Sequence, residues 1–362
     1  MSRLFEPIEI RGVTFPNRIW LSPMCQYSCF AGDGVPTDWH LVHLGAFAQG
    51  GFGYITTEAA AVHPRGRISP EDAGIWNDEQ RDAWVRIVDF VHSQGSKIGI
   101  QIAHAGRKAG MYSPFPNNPS GVVAHNNGGW TPVGPTEAPF PGYDSSPEQL
   151  DEAGIQQVID DFRSAAIRAK DAGFDVIEIH AAHGYLLHSF YSPISNTRTD
   201  CWGGDFEGRT RFVVAVTDAV REVWDGPLFV RISATDWLED GWTIEDSVRL
   251  TRILKDHDAD LIDASSGSVV PAEIPLGPGY QVPLAHRIRD EVDILVGAVG
   301  LISDPTHAEA ILIQEQADAV FLGRVALREP HWPQRAASEL GVPRAEAPYQ
   351  PQHFRGAWPS RR

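Results

Sequence analysis

Residues 175–185, DVIEIHAAHGY, decide the fold. The run 175–180 is short and mostly apolar on both faces, as a strand covered by helices on each side should be. It closes on His180, and His183, Gly184 and Tyr185 then follow in a turn. Upstream, Val158, Phe162, Ala165 and Ala169 fall at helical spacing with Ile155 and Ile159 beside them, and Gly173 stops that helix just before the strand. Its start reads as a capping box at Ser146, with Pro147 at the first helical position and Gln149 three residues after the serine.

The same unit of strand, polar turn and amphipathic helix recurs along the chain. Candidate strands are 19–22, 53–58, 97–104, 175–180, 228–233, 260–265, 294–299 and 319–323. Asp78 and Gly95 bracket a helix with Trp84, Val88 and Val91 on one face. Phe212, Val216, Ala219 and Val223 mark another, closed by Gly226, and Thr243 caps a third carrying Val248, Leu250 and Leu254. About eight such alternations point to an α/β protein of the (β/α)8 TIM-barrel type. A doubly wound sheet shares the alternation, but its GxGxxG turn is missing: Gly50-Gly51-Phe52-Gly53 has other spacing and precedes a strand. One barrel domain over 1–340 is expected. A Pro-, Gly- and Asn-rich loop at 110–146, with room for a small hairpin, would cap the mouth after the third strand, and 341–362 forms a polar tail.

The 362 residues are 42% hydrophobic, enough for a large core, and carry a net charge of −17. That charge disfavours nucleic acid and anionic membranes as partners but leaves room for a local basic pocket. Cys25, Cys29 and Cys201 are odd in number and form neither a disulfide framework nor a CxxC pair. The opening MSRLFEPIEI has no apolar signal core, and no apolar run reaches membrane-spanning length. A soluble protein of a reducing, cytoplasmic compartment is the expectation.

Barrel chemistry gathers where strands end. Those ends read Ser22-Pro23-Met24-Cys25, Glu58-Ala59, Gln101 to His104, His180 to Tyr185, Arg231, Ser265-Ser266-Gly267, Gly297 to Gly300, and Gly323-Arg324. Glycines after strands seven and eight let backbone N–H groups approach a phosphate, and Arg324 adds charge. Each glycine taken alone would serve a tight turn. His180 and His183 can donate two N–H bonds to one carbonyl or nitro oxygen, and Tyr185 can give up a proton. Two other readings stand beside this: a core histidine next to a loop histidine, or an H-x-x-H zinc chelate completed by His104, His188 or Glu178. No H-E-x-x-H is present.

These residues carry a family pattern. The segments LFEPIEIRGVTFPNRIWLSPMCQYS, TTEAAAVHPRGRIS, GIQIAHAGRK, DAGFDVIEIHAAHGYLLHSFYSPISNTRTDCWGG, GPLFVRISATD, DLIDASSG, GAVG and FLGR occur in order over nearly the whole chain. Together they resemble the Old Yellow Enzyme family, in its bacterial, thermophilic-like branch. HAAHGYL and SPMCQY are the specific motifs; LFEPI and GAVG alone are weak.

The resemblance implies a barrel that binds FMN non-covalently and takes hydride from NADPH or NADH. Ser22, Pro23, Met24, Cys25, Ala59, Gln101, Arg231, Ser266, Gly300, Gly323 and Arg324 would contact the cofactor. Within that set Gln101 pairs with the pyrimidine edge, Arg231 faces the N1/O2 side, and the two glycines, Arg324 and Ser266 serve the phosphate. Cys25 would tune the flavin as a neutral thiol; a small buried apolar residue is its other reading. His180 and His183 would hold the substrate oxygen while hydride passes from flavin N5 to Cβ of an enone, maleimide or nitroalkene. Tyr185 would protonate Cα, and Tyr27 would bind substrate. Reduction and reoxidation would share one pocket in a ping-pong cycle. Lys108 is either a flavin-rim or nucleotide contact or a solvated loop lysine. Arg355, in HFRGAW, would reach a neighbouring subunit's pocket in a homodimer or homotetramer, with Arg328 or Trp358 as other candidates; a disordered tail with solvated charges is the other reading. His183 stands where the yeast-type branch has Asn. A flavin-binding redox or stress module with little enone turnover, and a metal-dependent barrel hydrolase, are the competing functions.

Overall fold

A computed structural model describes residues 2–359, so the last three residues of the tail lie outside the described residues. A closed barrel of parallel strands runs in sequence order: β1 (Ile19–Leu21), β2 (Tyr54–Ala61), β3 (Lys97–Ala103), β4 (Val176–Ala181), β5 (Leu228–Ser233), β6 (Leu261–Ser265), β7 (Leu295–Ala298) and β8 (Ala319–Leu322), the last pairing with the first. All eight expected strands are present in this register, and the doubly wound alternative is set aside. Outside them lie α1 (Asp38–Gly50), α2 (Asp78–Ser93), α3 (Glu152–Asp171), α4 (Leu186–Tyr191), α5 (Phe206–Arg221), α6 (Ile244–Asp256), α7 (Val282–Glu291), α8 (Pro305–Ile313), α9 (Arg324–Arg328) and α10 (Trp332–Glu339).

Side chains alternate across a strand, so every second residue enters the barrel. The lowest interior layer is apolar: Trp20, Tyr54, Val176, Phe229, Leu261, Ala319 and Phe321 pack as one cluster. An N-terminal hairpin, Ile8–Ile10 with Val13–Phe15, closes the bottom, and its Phe15 ring lies 5.0 Å from Trp20. Two residues further along β4, β5 and β6 stand Glu178, Arg231 and Asp263, and two further still His180, Ser233 and Ser265. The barrel thus changes from greasy to charged to polar toward its mouth.

Two departures from simple periodicity matter. A β-bulge between Thr56 and Ala59 shifts the β2–β3 register, so Ala59 pairs with Gln101 while Glu58 turns out to His40, 3.0 Å away. The Ser146 helix start is a correction. Glu148–Gln149 instead pairs with Val133–Gly134, and α3 begins at Glu152, where Asp151 accepts the Gly154 N–H. The nearby aspartate cap wins because the two-residue ladder already uses the backbone after Pro147. Asn77 and Thr243 cap α2 and α6 through full capping boxes.

The 110–146 segment holds one antiparallel bridge, Met111 to Val122, a single 3-10 turn and the short Val133–Gly134 strand, not a full hairpin. The tail folds back on the far end of the barrel: Pro348 accepts from Gln334, and Gln350 donates to the Gln94 carbonyl. No helix among the described residues is long and apolar enough to cross a membrane.

Candidate active site

The β4 end arranges three ring side chains. His183 (φ 60°) and Gly184 (φ 72°) are both left-handed. A Cβ on Gly184 would lie 2.3 Å from the Ser268 carbonyl oxygen, so only glycine fits. The His180 and His183 rings stand at 88° with centroids 5.2 Å apart, and Tyr185 is 4.9 Å from His180. His180 Nδ1 accepts the Ala182 N–H at 3.2 Å, which leaves the proton on Nε2. His183 donates its backbone N–H to Ser233 and contacts Ser265 Oγ through Nε2 at 2.7 Å. Burial, then the nearby Arg231 charge, holds both imidazoles well below the usual histidine range. They are neutral hydrogen-bond groups. Burial, then Cys25 and Tyr27, pushes the Tyr185 phenol up, so it keeps its proton.

The β1 end faces them. Ser22 is buried with its hydroxyl unpaired among the described residues, and Pro23, Met24 and Cys25 are half-buried. Burial, then Asp72 and Glu58, pushes the Cys25 thiol up, which keeps it neutral. Glu58 accepts the Gln26 N–H at 2.9 Å and fixes this turn. Tyr27 (φ 50°) meets the Phe115 ring edge-on at 6.0 Å.

A cavity of about 450 Å³ opens where β7 and β8 end, lined by Arg231, Gln281, Gly300, Gly323, Arg324 and Arg328 among others. Among the described residues no acid pairs with Arg324 or Arg328, so in a chain of −17 this hollow is positive and open to an anion. Gly323 leaves open space: a Cβ there would come no closer than 3.8 Å, to Met24 Sδ. Ser266 is one step removed, donating to Gln281 Oε1 at 2.5 Å. The small Ala59, the unpaired Ser22 hydroxyl and the arginine-lined hollow fit a planar ring system bearing one phosphate, as FMN is.

Other expected residues fall elsewhere. Lys108 is no solvated lysine. Its Nζ donates to the His183 carbonyl at 2.8 Å, lies 5.0 Å from the Tyr185 ring and 4.7 Å from Phe140, and burial lowers it to about 8. Arg355 is exposed in the short turn Phe354–Gly356, away from its own barrel's mouth. Among the zinc alternatives, His188 is committed to Asp236 and His104 lines a separate crevice with His63 and Asp161. Among the described residues no three His, Cys, Asp or Glu side chains gather as a metal cage.

Gln281 was missed as a lining residue, as were Phe115 beside Tyr27 and Phe140 beside Lys108. Gln281 precedes α7 and ends no strand. Phe115, Phe140 and Tyr143 lie in a loop whose packing has no period.

The family model described as NADH:flavin oxidoreductase / NADH oxidase matches residues 3–342. A relative from Geobacillus sp. (strain WCH70), called NADPH dehydrogenase, is 49% identical over 94% of this chain and 95% of its own. Among solved structures, morphinone reductase in complex with tetrahydroNAD aligns with a TM-score of 0.78 at 27% identity, covering 98% of this chain and 94% of that one. The Old Yellow Enzyme homologue from Zymomonas mobilis has the same score and identity, covering 98% and 99%.

Proposed function

The chain belongs to the NADH:flavin oxidoreductase / NADH oxidase family, and on that premise we propose that it is an ene-reductase, passing hydride from NAD(P)H through FMN to Cβ of an activated alkene. FMN is its cofactor and NAD(P)H its reductant, in an oxidoreductase of the Old Yellow Enzyme type. The observation that carries the finer reading is the pair of neutral imidazoles set at 88° with the Tyr185 phenol beside them.

Bound FMN supplies what no side chain here can, a reversible store for two electrons. The residues do the rest. Gly300, Gly323, Arg324 and Arg328 would hold the phosphate, with Ser266 acting through Gln281. Ala59, Ser22, Pro23 and Met24 would seat the ring, Cys25 would offer a weak neutral S–H donor, and Gln101 and Arg231 would meet the pyrimidine pole. His180 and His183 donate N–H bonds to the substrate oxygen and stabilise the negative charge that builds there. Neutral imidazoles suit this, because they donate without repelling Arg231. Tyr185 carries its proton to Cα, and Tyr27 adds a hydrogen bond to the same substrate. The nicotinamide and the alkene take turns in one pocket. Arg355 completes the pocket of a second copy, in a homodimer or homotetramer.

Anaerobic titration of the purified protein with NADPH, followed by cyclohexenone, tests this. The yellow colour should bleach and then return. A bleached protein indifferent to enones would instead favour a flavin-binding redox module.

A further inference from the structure

Two acids of the barrel's charged layer, Glu178 and Asp263, have no part in this mechanism. Glu178 and Asp263 are wholly buried, and Arg231 is 6% exposed. Gln101 donates Nε2–H to Glu178 Oε1 at 2.7 Å, and Arg231 Nε lies 3.1 Å from Asp263 Oδ2. Glu178 Oε2 has no hydrogen-bond partner among the described residues. Gln101 Oε1 accepts no hydrogen bond from the described residues. The groups facing Glu178 are Tyr54 on β2, Gln101 on β3, Arg231 on β5 and Asp263 on β6. Burial pushes the Tyr54 phenol up and keeps it neutral, and His180 on the same strand as Glu178 is neutral too.

Two carboxyls therefore face one cation in a dry interior. An uncompensated buried carboxylate is costly, and taking up a proton removes the cost. Asp263 has the guanidinium, so the proton belongs on Glu178. Burial, then Asp263, pushes Glu178 up to about 8 against the opposing pull of Arg231 and Gln101. Burial also pushes Asp263 up, less far, with Arg231 opposing it.

We infer that Glu178 is a neutral carboxylic acid at the barrel centre and a positioning residue: it holds the Gln101 amide nitrogen, so that the amide oxygen is left for the imide N–H of the FMN pyrimidine edge. The role toward Gln101 rests on the FMN reading; the protonation of Glu178 does not. Ionising Glu178 would place a negative charge beneath the cofactor and disfavour its reduced form.

Infrared spectroscopy of protein labelled with carbon-13 carboxyl glutamate tests the first half. A protonated-carboxyl stretch at neutral pH that shifts with the label is expected; its absence overturns the inference, whether or not any variant folds or FMN binds. Two variants test the second half. Glu178→Gln keeps an acceptor for Gln101 and should bind FMN as the parent does, while Glu178→Ala should bind about tenfold more weakly; equal losses in both overturn the positioning role. The reduction potentials of parent and Glu178→Gln should coincide at about pH 6 and separate by about pH 9, the parent lying lower. A constant gap across that range overturns the neutral acid. Purified protein with no bound flavin would sink the functional reading alone and leave the infrared result standing.

Discussion

Gly184 donates its N–H to His188 Nδ1 at 2.8 Å, and this bond holds the turn that presents His183 and Tyr185. His188 is held in turn: its Nε2 lies 3.0 Å from Asp236 Oδ1, and Asp236 Oδ2 accepts from Ser192 Oγ and the Trp242 N–H. Burial works against the Asp236 charge, but His188 and these donors outweigh it and hold its carboxyl below the usual range. Both side chains are fully buried. The two left-handed residues at 183 and 184 are thus braced from behind by a buried polar chain.

Asp236→Ala should therefore lower activity without touching cofactor or substrate. The variant should lose about 3 kcal/mol of stability from the stranded buried partners, and kcat should fall about a hundredfold from a misplaced turn. Flavin content and steady-state rates measure it. Full activity in a folded variant would mean that the turn holds itself.

Tyr185→Phe separates the two halves of the cycle. Reduction by NADPH should be unchanged, while reoxidation by an enone slows about a hundredfold or more for want of the acid. Stopped-flow absorbance measures both halves. Because burial pushes the parent phenol up, its reoxidation rate should not fall off before about pH 10. Unchanged reoxidation in the variant would assign the proton to another donor.

The fold was legible because short strands apolar on both faces alternate with punctuated helices: Gly173 stops α3, and Thr243 caps α6, where the sequence places them. The strand ends were legible because polar residues cluster there. What escaped is long-range. Nothing local reveals that the bulge at Thr56 to Ala59 sends Glu58 to His40 and Gln26. Gln281 reaches the phosphate hollow from a loop after β6, and Phe140 reaches Lys108 across a segment without periodicity. Ser146 looked like a cap because its local pattern is sound, and a ladder with Val133 overrode it.

Arg324→Ala should distinguish phosphate from ring binding. The parent should prefer FMN to riboflavin, and the variant should lose about tenfold in FMN affinity with little change for riboflavin, as expected for one charge-assisted phosphate contact. Fluorescence titration of protein stripped of flavin measures both. Equal losses for the two ligands would place Arg324 at the ring.

His104 gives a stability test with a definite sign. It is 3% exposed, its Nδ1 accepts the Gly106 N–H at 3.0 Å, and burial, then His63 and Arg65, lowers it to about 3. Unfolding restores a histidine that binds a proton near pH 6.5. Between those two values the unfolded chain holds a proton that the folded one does not, so the stability attached to neutral His104 is complete above about pH 6.5 and drains away as pH falls. His104→Asn keeps an acceptor for Gly106 and removes the titration. The parent's stability relative to this variant should shrink by about 1.4 kcal/mol for each unit of pH below about 6.5, read from urea midpoints at a series of pH values. Parallel curves for the two proteins would mean that His104 already takes up its proton in the folded state, and that the crevice it shares with His63 and Asp161 admits water.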